Sequence, residues 1–194
     1  MKSLILRSSV ALACALSLAG CGGSSGNLLL GGTVFGPIRD GLVLQNNGGT
    51  PYPIPAFTAF SQGFAFPDLL SNDQDFNVTI KTSPPSADCT VVNGKGRTGA
   101  FNITTVEVHC ITHTFALGGQ IVGLGNATGL VLVNGADRQA ISAGAATLTM
   151  AKVADGSPYG VTILSQPAGL TCTVVNGVGT MGDKDVSNIQ VNCA

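Results

Sequence analysis

The sequence predicts an all-β protein made of two tandem antiparallel β-sandwich modules, preceded by an export signal and a short tether. Three observations support this: an apolar amino-terminal segment, a repeated hexapeptide, and apolar residues that alternate with polar ones. The 27 glycines, the absence of tryptophan and the 10% of charged residues are typical of turn-rich β-structure. The formal net charge of −1 offers no basic surface, which argues against nucleic acid as a partner.

Residues 1–20, MKSLILRSSVALACALSLAG, have the pattern of a secretory signal peptide. Lys2 and Arg7 precede an apolar run that is too short to span a bilayer as a helix. The run ends in LAGC at residues 18–21, which resembles the lipobox of bacterial lipoproteins. The resemblance implies that Cys21 becomes the lipidated amino terminus and that its acyl chains anchor the protein to the membrane. The alternative is an ordinary secretion signal that is cleaved nearby.

The residues around the predicted lipidation site indicate where the protein is held. Gly22 stands where, in the lipoprotein family, an aspartate retains proteins at the inner membrane. The resemblance therefore implies the outer membrane if the organism is Gram-negative. Residues 21–29 are predicted to be the lipidated cysteine and a flexible tether, because GGSSGN has the composition of a flexible linker.

Two copies of one module follow, predicted at residues 30–111 and 112–194. LGGTVFG at residues 30–36 corresponds to LGGQIVG at residues 117–123, and CTVVNG occurs once in each copy. Because the copies match over most of their length, the chain is a tandem duplication. The order of motifs resembles bacterial immunoglobulin-like and carboxypeptidase-regulatory-like (prealbumin-type) surface modules. This resemblance implies a β-sandwich and no catalytic residues.

Alternation within each copy predicts the strands. Phe76, Val78 and Ile80 share one face while the residues between them are polar, which indicates a strand with one buried face. We expect about six or seven such strands in each module, separated by turns rich in Gly, Asn, Pro and Asp. Because Leu117 follows Cys110 closely, the junction between the modules is predicted to be short and stiff.

Four cysteines remain outside the signal segment and Cys21, and they predict a disulfide framework in an exported protein. Four cysteines permit three pairings, and the duplication selects Cys89–Cys110 and Cys172–Cys193 because the spacing within the two pairs is the same. Each cysteine lies on the apolar face of an alternating segment. Each disulfide is therefore predicted to bridge two strands and to close a loop of about 20 residues, which contributes about 3 kcal/mol.

Two motifs resemble known binding sites, and we predict that neither of them binds a ligand. GxGxxG at residues 94–99 and again at 177–182 matches a dinucleotide-binding fingerprint, but that site needs a helix next, whereas β-branched segments follow here. Hairpin turns with positive φ explain these glycines. His109 and His113 form HxxxH, yet residues four apart in a strand are about 13 Å apart, so we predict no metal site.

The remaining motifs do not favour catalysis. NDQD at residues 72–75 lacks the rest of a calcium-binding loop, and the chain has only two histidines that could serve as a base. We therefore predict a protein that is not an enzyme and needs no cofactor. A secreted hydrolase or an inhibitor is the least favoured alternative.

Most of the aromatic residues lie in the first copy. Phe64 and Phe66 alternate and are predicted to enter the core, whereas Phe57 and Phe60 are candidate contacts for a protein or glycan partner. The leading hypothesis is a non-enzymatic, lipid-anchored surface protein that acts as a spacer, an adhesin or a scaffold component. A carbohydrate-binding module is the alternative, although without tryptophan the chain offers few rings for a sugar platform.

Overall fold

The computed structural model describes residues 26–39 and 41–194. The predicted signal peptide, Cys21 and most of the predicted tether lie outside the described residues. All regular elements in the described ranges are β-strands, which confirms the all-β prediction. None of the described residues belongs to a helix that could cross a membrane.

The first module is a β-sandwich of two four-stranded sheets. Its strands are β1 (Leu30–Phe35), β2 (Val43–Asn46), β3 (Tyr52–Pro53), β4 (Ser61–Ala65), β5 (Asp75–Thr82), β6 (Ala87–Val92), β7 (Lys95–Arg97) and β8 (Ile103–Thr112). The sheet orders are β4-β1-β8-β6 and β3-β2-β5-β7. Both sheets contribute to one apolar core, in which Val34 and Val106 come from the first sheet and Leu44 and Val78 from the second.

The second module repeats this arrangement. Its strands are β9 (Thr114–Val122), β10 (Val131–Asn134), β11 (Asp137–Ala140), β12 (Thr147–Ala154), β13 (Pro158–Ser165), β14 (Cys172–Val175), β15 (Val178–Thr180) and β16 (Val186–Cys193). The sheet orders are β12-β9-β16-β14 and β11-β10-β13-β15, so each strand takes the place of its counterpart in the first module. Each module has more strands than the sequence predicted, because β3, β7 and β15 are too short to show alternation.

One strand pair in each module departs from the predicted antiparallel sandwich. The first and last strands of a module, β1 with β8 and β9 with β16, run parallel at the centre of their sheet. The other strand pairs of the described chain are antiparallel. Alternation reports which face of a strand is buried but not the direction of its neighbour, so the sequence pattern did not reveal this pair.

The parallel pair explains why LGGxxxG is repeated. A Cβ on Gly32 would overlap the carbonyl oxygen of Val106, and a Cβ on Gly36 would overlap that of Cys110. Gly36 also has a φ of +88°, which residues with a side chain rarely adopt. The second module has the same close contacts: a Cβ on Gly119 would overlap the carbonyl oxygen of Ile189, and a Cβ on Gly123 would overlap that of Cys193. The glycines therefore let the first strand of a module lie close to the last.

The aromatic residues predicted for the core are buried. Phe64 and Phe66 face inward, and their rings meet edge to face with centroids 5.8 Å apart. Leu148 and Met150 occupy the corresponding positions of β12 and are also buried. The first module thus fills its core with larger side chains than the second.

The residues just before β1 already contact the first module. Leu28 is buried, and it exchanges both backbone hydrogen bonds with Leu70 at 3.0 and 2.8 Å. The backbone N–H of Leu29 donates to Oδ1 of Asn102. The apolar residues just before β1 therefore pair with the first sandwich.

The junction between the modules is one residue long. His113 lies between β8 and β9; its backbone N–H donates to the carbonyl of Ser86, and its carbonyl accepts from the backbone N–H of Asp155, both at 2.9 Å. The guanidinium Nη1 of Arg39 lies 2.6 Å from Oδ1 of Asp155. A short junction was predicted, although β8 runs one residue past the predicted boundary at 111. The contacts that could make the junction stiff are the backbone bonds of His113 and the Arg39–Asp155 ion pair.

Candidate functional site

The repeated hexapeptide carries one half of each disulfide. Cys89 on β6 lies directly opposite Cys110 on β8, with their Cα atoms 4.0 Å apart, and the two are bonded. Cys172 and Cys193 form the equivalent disulfide between β14 and β16, with their Cα atoms 3.9 Å apart. The structure thus has the two pairings that the duplication selected. Each disulfide joins two neighbouring strands of one sheet, next to the core.

The end of the hexapeptide turns the chain from one sheet to the other. Positive φ is found at Asn93 and Asn176, with values of 54° and 59°, and not at the glycines that follow them. A Cβ on Gly94 would lie 2.8 Å from the carbonyl oxygen of Val78 and 2.5 Å from Cγ1 of Val91. The explanation of these glycines by hairpin turns with positive φ is therefore wrong. The glycine is needed because the corner packs closely against β5 and β6.

The residues that follow the GxGxxG motif form a strand. The motif begins at the corner, continues through β7, which pairs with β5, and leads into β8. A dinucleotide site instead places the pyrophosphate at the amino terminus of a helix. The motif therefore belongs to the segment in which the chain crosses from one sheet to the other and back.

The two histidines have separate partners. Nε2 of His109 lies 2.9 Å from Oε2 of Glu107, and Nε2 of His113 lies 3.2 Å from Oδ2 of Asp88. Each pair therefore provides one carboxylate beside one imidazole. In the part of the chain that the structure describes, no three His, Cys, Asp or Glu side chains are grouped so that they could hold a metal ion.

Three rings form a surface cluster on the first module, which we call the aromatic patch: Phe35, Phe60 and His109. Phe35 on β1 lies directly beside His109 on β8, and their rings are stacked with centroids 5.0 Å apart. The ring of Phe60 meets Phe35 at a centroid distance of 6.1 Å and is 79% exposed. Because Val34 and Val108 point into the core, the neighbouring Phe35 and His109 point outward.

Apolar side chains extend the aromatic patch across the same sheet face. Ile111 lies two residues beyond His109 on β8 and is exposed. Val92 on β6 lies opposite Glu107 and is exposed too. The sheet face that carries the aromatic patch therefore also exposes two aliphatic side chains.

The second module lacks the rings at the corresponding positions. Val122 replaces Phe35 and pairs with Asn192, which replaces His109. The segment before β12, where the first module has Phe60, has the sequence GAA at residues 144–146. The second sandwich therefore forms the same sheet without an aromatic patch.

The two predicted contact residues lie in different environments. Phe60 is exposed and belongs to the aromatic patch. Phe57 is only partly exposed; it packs against the core of the first module, and its backbone exchanges hydrogen bonds with Ile38 at 3.1 and 2.9 Å. Sequence reasoning placed His109 on the outward face of its strand but did not identify it or Phe35 as a contact residue, because the stacking of the two rings depends on the pairing of β1 with β8.

A cleft of about 690 Å³, which we call the inter-module cleft, opens between the two modules. Residues 37–39 and 56–58 form most of its first wall, and residues 154–157 form most of the second. Ser86, Thr112 and Thr180 complete the lining. The walls are loops and strand ends that are far apart in the sequence, so no local motif indicated this cleft.

No protein-family model matches the chain, and no curated protein matches it either.

Proposed function

We propose that this protein is a non-enzymatic, lipid-anchored protein of the bacterial cell surface that acts as an adhesin, a scaffold component or a spacer. The anchor is the lipid on Cys21, which follows from the resemblance of residues 18–21 to a lipobox. Two disulfides in a small chain suit an oxidising compartment outside the cytoplasm. In a Gram-negative cell the location is the outer membrane.

The observation that carries the contact role is the aromatic patch. The two modules share one fold, yet only the first places rings at these positions, so folding does not require them. Phe60 gains little stability from packing because it is mostly in water. Aromatic side chains are enriched in protein–protein interfaces, where they supply a large rigid contact area. A partner protein that covers this sheet face accounts for the rings.

The test places a photo-crosslinking amino acid at position 60 in the full-length protein in its own cells. A matched control carries the same amino acid at position 178, because Val178 is 78% exposed and lies on the second module. We expect a discrete crosslinked species from position 60 and none from position 178. Introducing Phe35→Val, which copies Val122, should abolish that species.

Equal crosslinking from both positions, or crosslinking that survives Phe35→Val, would contradict a contact role for the aromatic patch. The anchor is tested separately by labelling with a radioactive fatty acid. The protein should incorporate the label and fractionate with membranes, whereas Cys21→Ser should do neither. Labelling that persists in Cys21→Ser would contradict the lipobox assignment.

The alternative function is a binding module for carbohydrate or protein that uses the aromatic loop of the first module. Phe60 favours it because an exposed ring can cover the apolar face of a sugar as well as a protein surface. A glycan array separates the two candidates: glycan binding that is lost in Phe60→Ser supports the alternative.

A further inference from the structure

We propose that the inter-module cleft is a binding site for a short, uncharged oligosaccharide. This site is separate from the aromatic patch, and the inference does not depend on the membrane anchor. The proposal rests on the position of the cleft, its hydroxyl groups, its charge balance and one partly exposed ring.

The position and size of the cleft suit a small ligand. It lies where the loops of one module meet those of the other, and clefts between domains are frequent binding sites. Its volume of about 690 Å³ lies within the range of about 300–1,000 Å³ that small-molecule sites occupy.

Hydroxyl groups from both modules line the cleft. They belong to Thr58, Ser86, Thr112, Ser157 and Thr180. A hydroxyl both donates and accepts hydrogen bonds, so a row of them complements the hydroxyls of a sugar, which do the same. One of these hydroxyls is already engaged within the protein, because Oγ1 of Thr112 donates to the carbonyl oxygen of Pro37 at 3.5 Å.

The charges in the cleft cancel. Arg39 and Asp155 are the charged residues of the lining, and they form an ion pair at 2.6 Å. An anionic or cationic ligand therefore gains little net attraction, which favours an uncharged one. The side chain of Asp155 is 7% exposed and that of Arg39 is 60% exposed, so the guanidinium keeps N–H groups that can donate to ligand oxygens.

Apolar surface completes the site. Phe57 and Ile38 form part of the wall from the first module, and Ala154 forms part of the wall from the second. Sugar rings carry C–H groups on their faces, which pack against such surfaces while their hydroxyls bond at the edges. The cleft therefore combines an apolar wall with a few polar groups, as ligand sites commonly do.

The two walls are held together before any ligand binds. The backbone of His113 bonds to both modules, and the Arg39–Asp155 ion pair joins a lining residue of the first module to one of the second. A preformed site loses less entropy on binding than one that must be assembled.

The test titrates the full-length protein with neutral disaccharides to tetrasaccharides of glucose, galactose and N-acetylglucosamine, and measures Kd by calorimetry. We expect at least one to bind with a Kd in the micromolar to millimolar range and with little dependence on salt. Thr58→Val and Thr180→Val each remove one hydroxyl and keep the side-chain shape. Together they should raise Kd about tenfold, because each removes one hydrogen bond.

Three further variants make the result specific. Ser157→Phe fills the cleft from the second module and should abolish binding. Thr90→Val, on an exposed position of β6, is the matched control for hydroxyl removal, and Phe60→Ser is the control for the aromatic patch. Both controls should leave Kd unchanged.

The proposal is overturned if no neutral oligosaccharide binds at millimolar concentration. It is also overturned if binding occurs but is lost in Phe60→Ser and retained in the cleft variants, which would place the glycan on the aromatic patch. Unfolding curves check that each variant is folded. Loss of crosslinking from position 60 alone would affect the proposed function and leave this site intact.

Discussion

The two modules have the same topology but differ in the surfaces that they offer. Both keep the close-approach glycines, the Asn-Gly corner and the cross-strand disulfide. They differ in the core, where Phe64 of the first module corresponds to Leu148 of the second, and on the outer sheet face, where Phe35 corresponds to Val122. What both modules keep is what the fold requires. A feature found in only one module is not needed for folding and is available for binding. The aromatic patch is such a feature.

The glycines of the parallel pair should give the largest effect. Gly32→Ala should lower the free energy of unfolding of the first module by about 3–4 kcal/mol, because a Cβ there overlaps the backbone of β8 and the two central strands must separate. Gly119→Ala should do the same to the second module. Gly99→Ala is the matched control, since a Cβ there meets nothing within 4 Å.

The measurement uses the two tyrosines, because Tyr52 lies in the first module and Tyr159 in the second. Labelling with 3-fluorotyrosine gives one fluorine NMR signal for each module, so urea unfolding of the modules can be followed separately. A Gly32→Ala protein as stable as Gly99→Ala would contradict the close approach of β1 and β8.

The disulfides should give the next largest effect. Replacing both Cys89 and Cys110 by Ala, or both Cys172 and Cys193, should destabilise the affected module by about 3 kcal/mol, because both disulfides close loops of the same length. The same fluorine signals report the result. If one double replacement destabilised its module and the other did not, the equal loop lengths would not account for the stabilisation, and the packing around the two disulfides would have to differ.

The junction should give the smallest effect on stability and a visible one on orientation. Arg39→Ala should cost about 1 kcal/mol, because the guanidinium is largely exposed although its partner is buried. Since the ion pair links the modules, the relative orientation should become more variable, which residual dipolar couplings and small-angle scattering detect. Arg138→Ala is the control, because Arg138 forms no ion pair with any residue that the structure describes. Unchanged couplings in Arg39→Ala would show that the backbone bonds of His113 suffice.

Much of the fold could be predicted because the information is local or duplicated. Alternation revealed the inward faces of β5 and β8, and the duplication selected the disulfide pairing among three alternatives. The parallel direction of β1 and β8 could not be predicted, since it depends on which strands meet in the folded chain. The Asn-Gly corner was misread for a related reason: the close contact of Gly94 with Val78 comes from a strand that is distant in sequence.

The candidate sites were only partly predictable. Phe57 and Phe60 were identified together because residues 57–70 are dense in Phe, and their spacing of three suggested that one of the two rings is exposed. The structure separates them, since Phe57 packs on the core while Phe60 stands beside Phe35. The inter-module cleft combines residues near 38, 57 and 155, so only the folded chain brings its hydroxyls and its ion pair together.

The parallel pairing of each module's terminal strands has a mechanical consequence. A pull on the two ends of a module draws β1 and β8 in opposite directions along their common axis, so the hydrogen bonds between them share the load instead of breaking one by one. The second module carries tension in the same way through β9 and β16. If the chain were held at one end and pulled at the other, the parallel strand pairs of both modules would therefore be loaded in shear, one after the other along the chain, and would resist stretching.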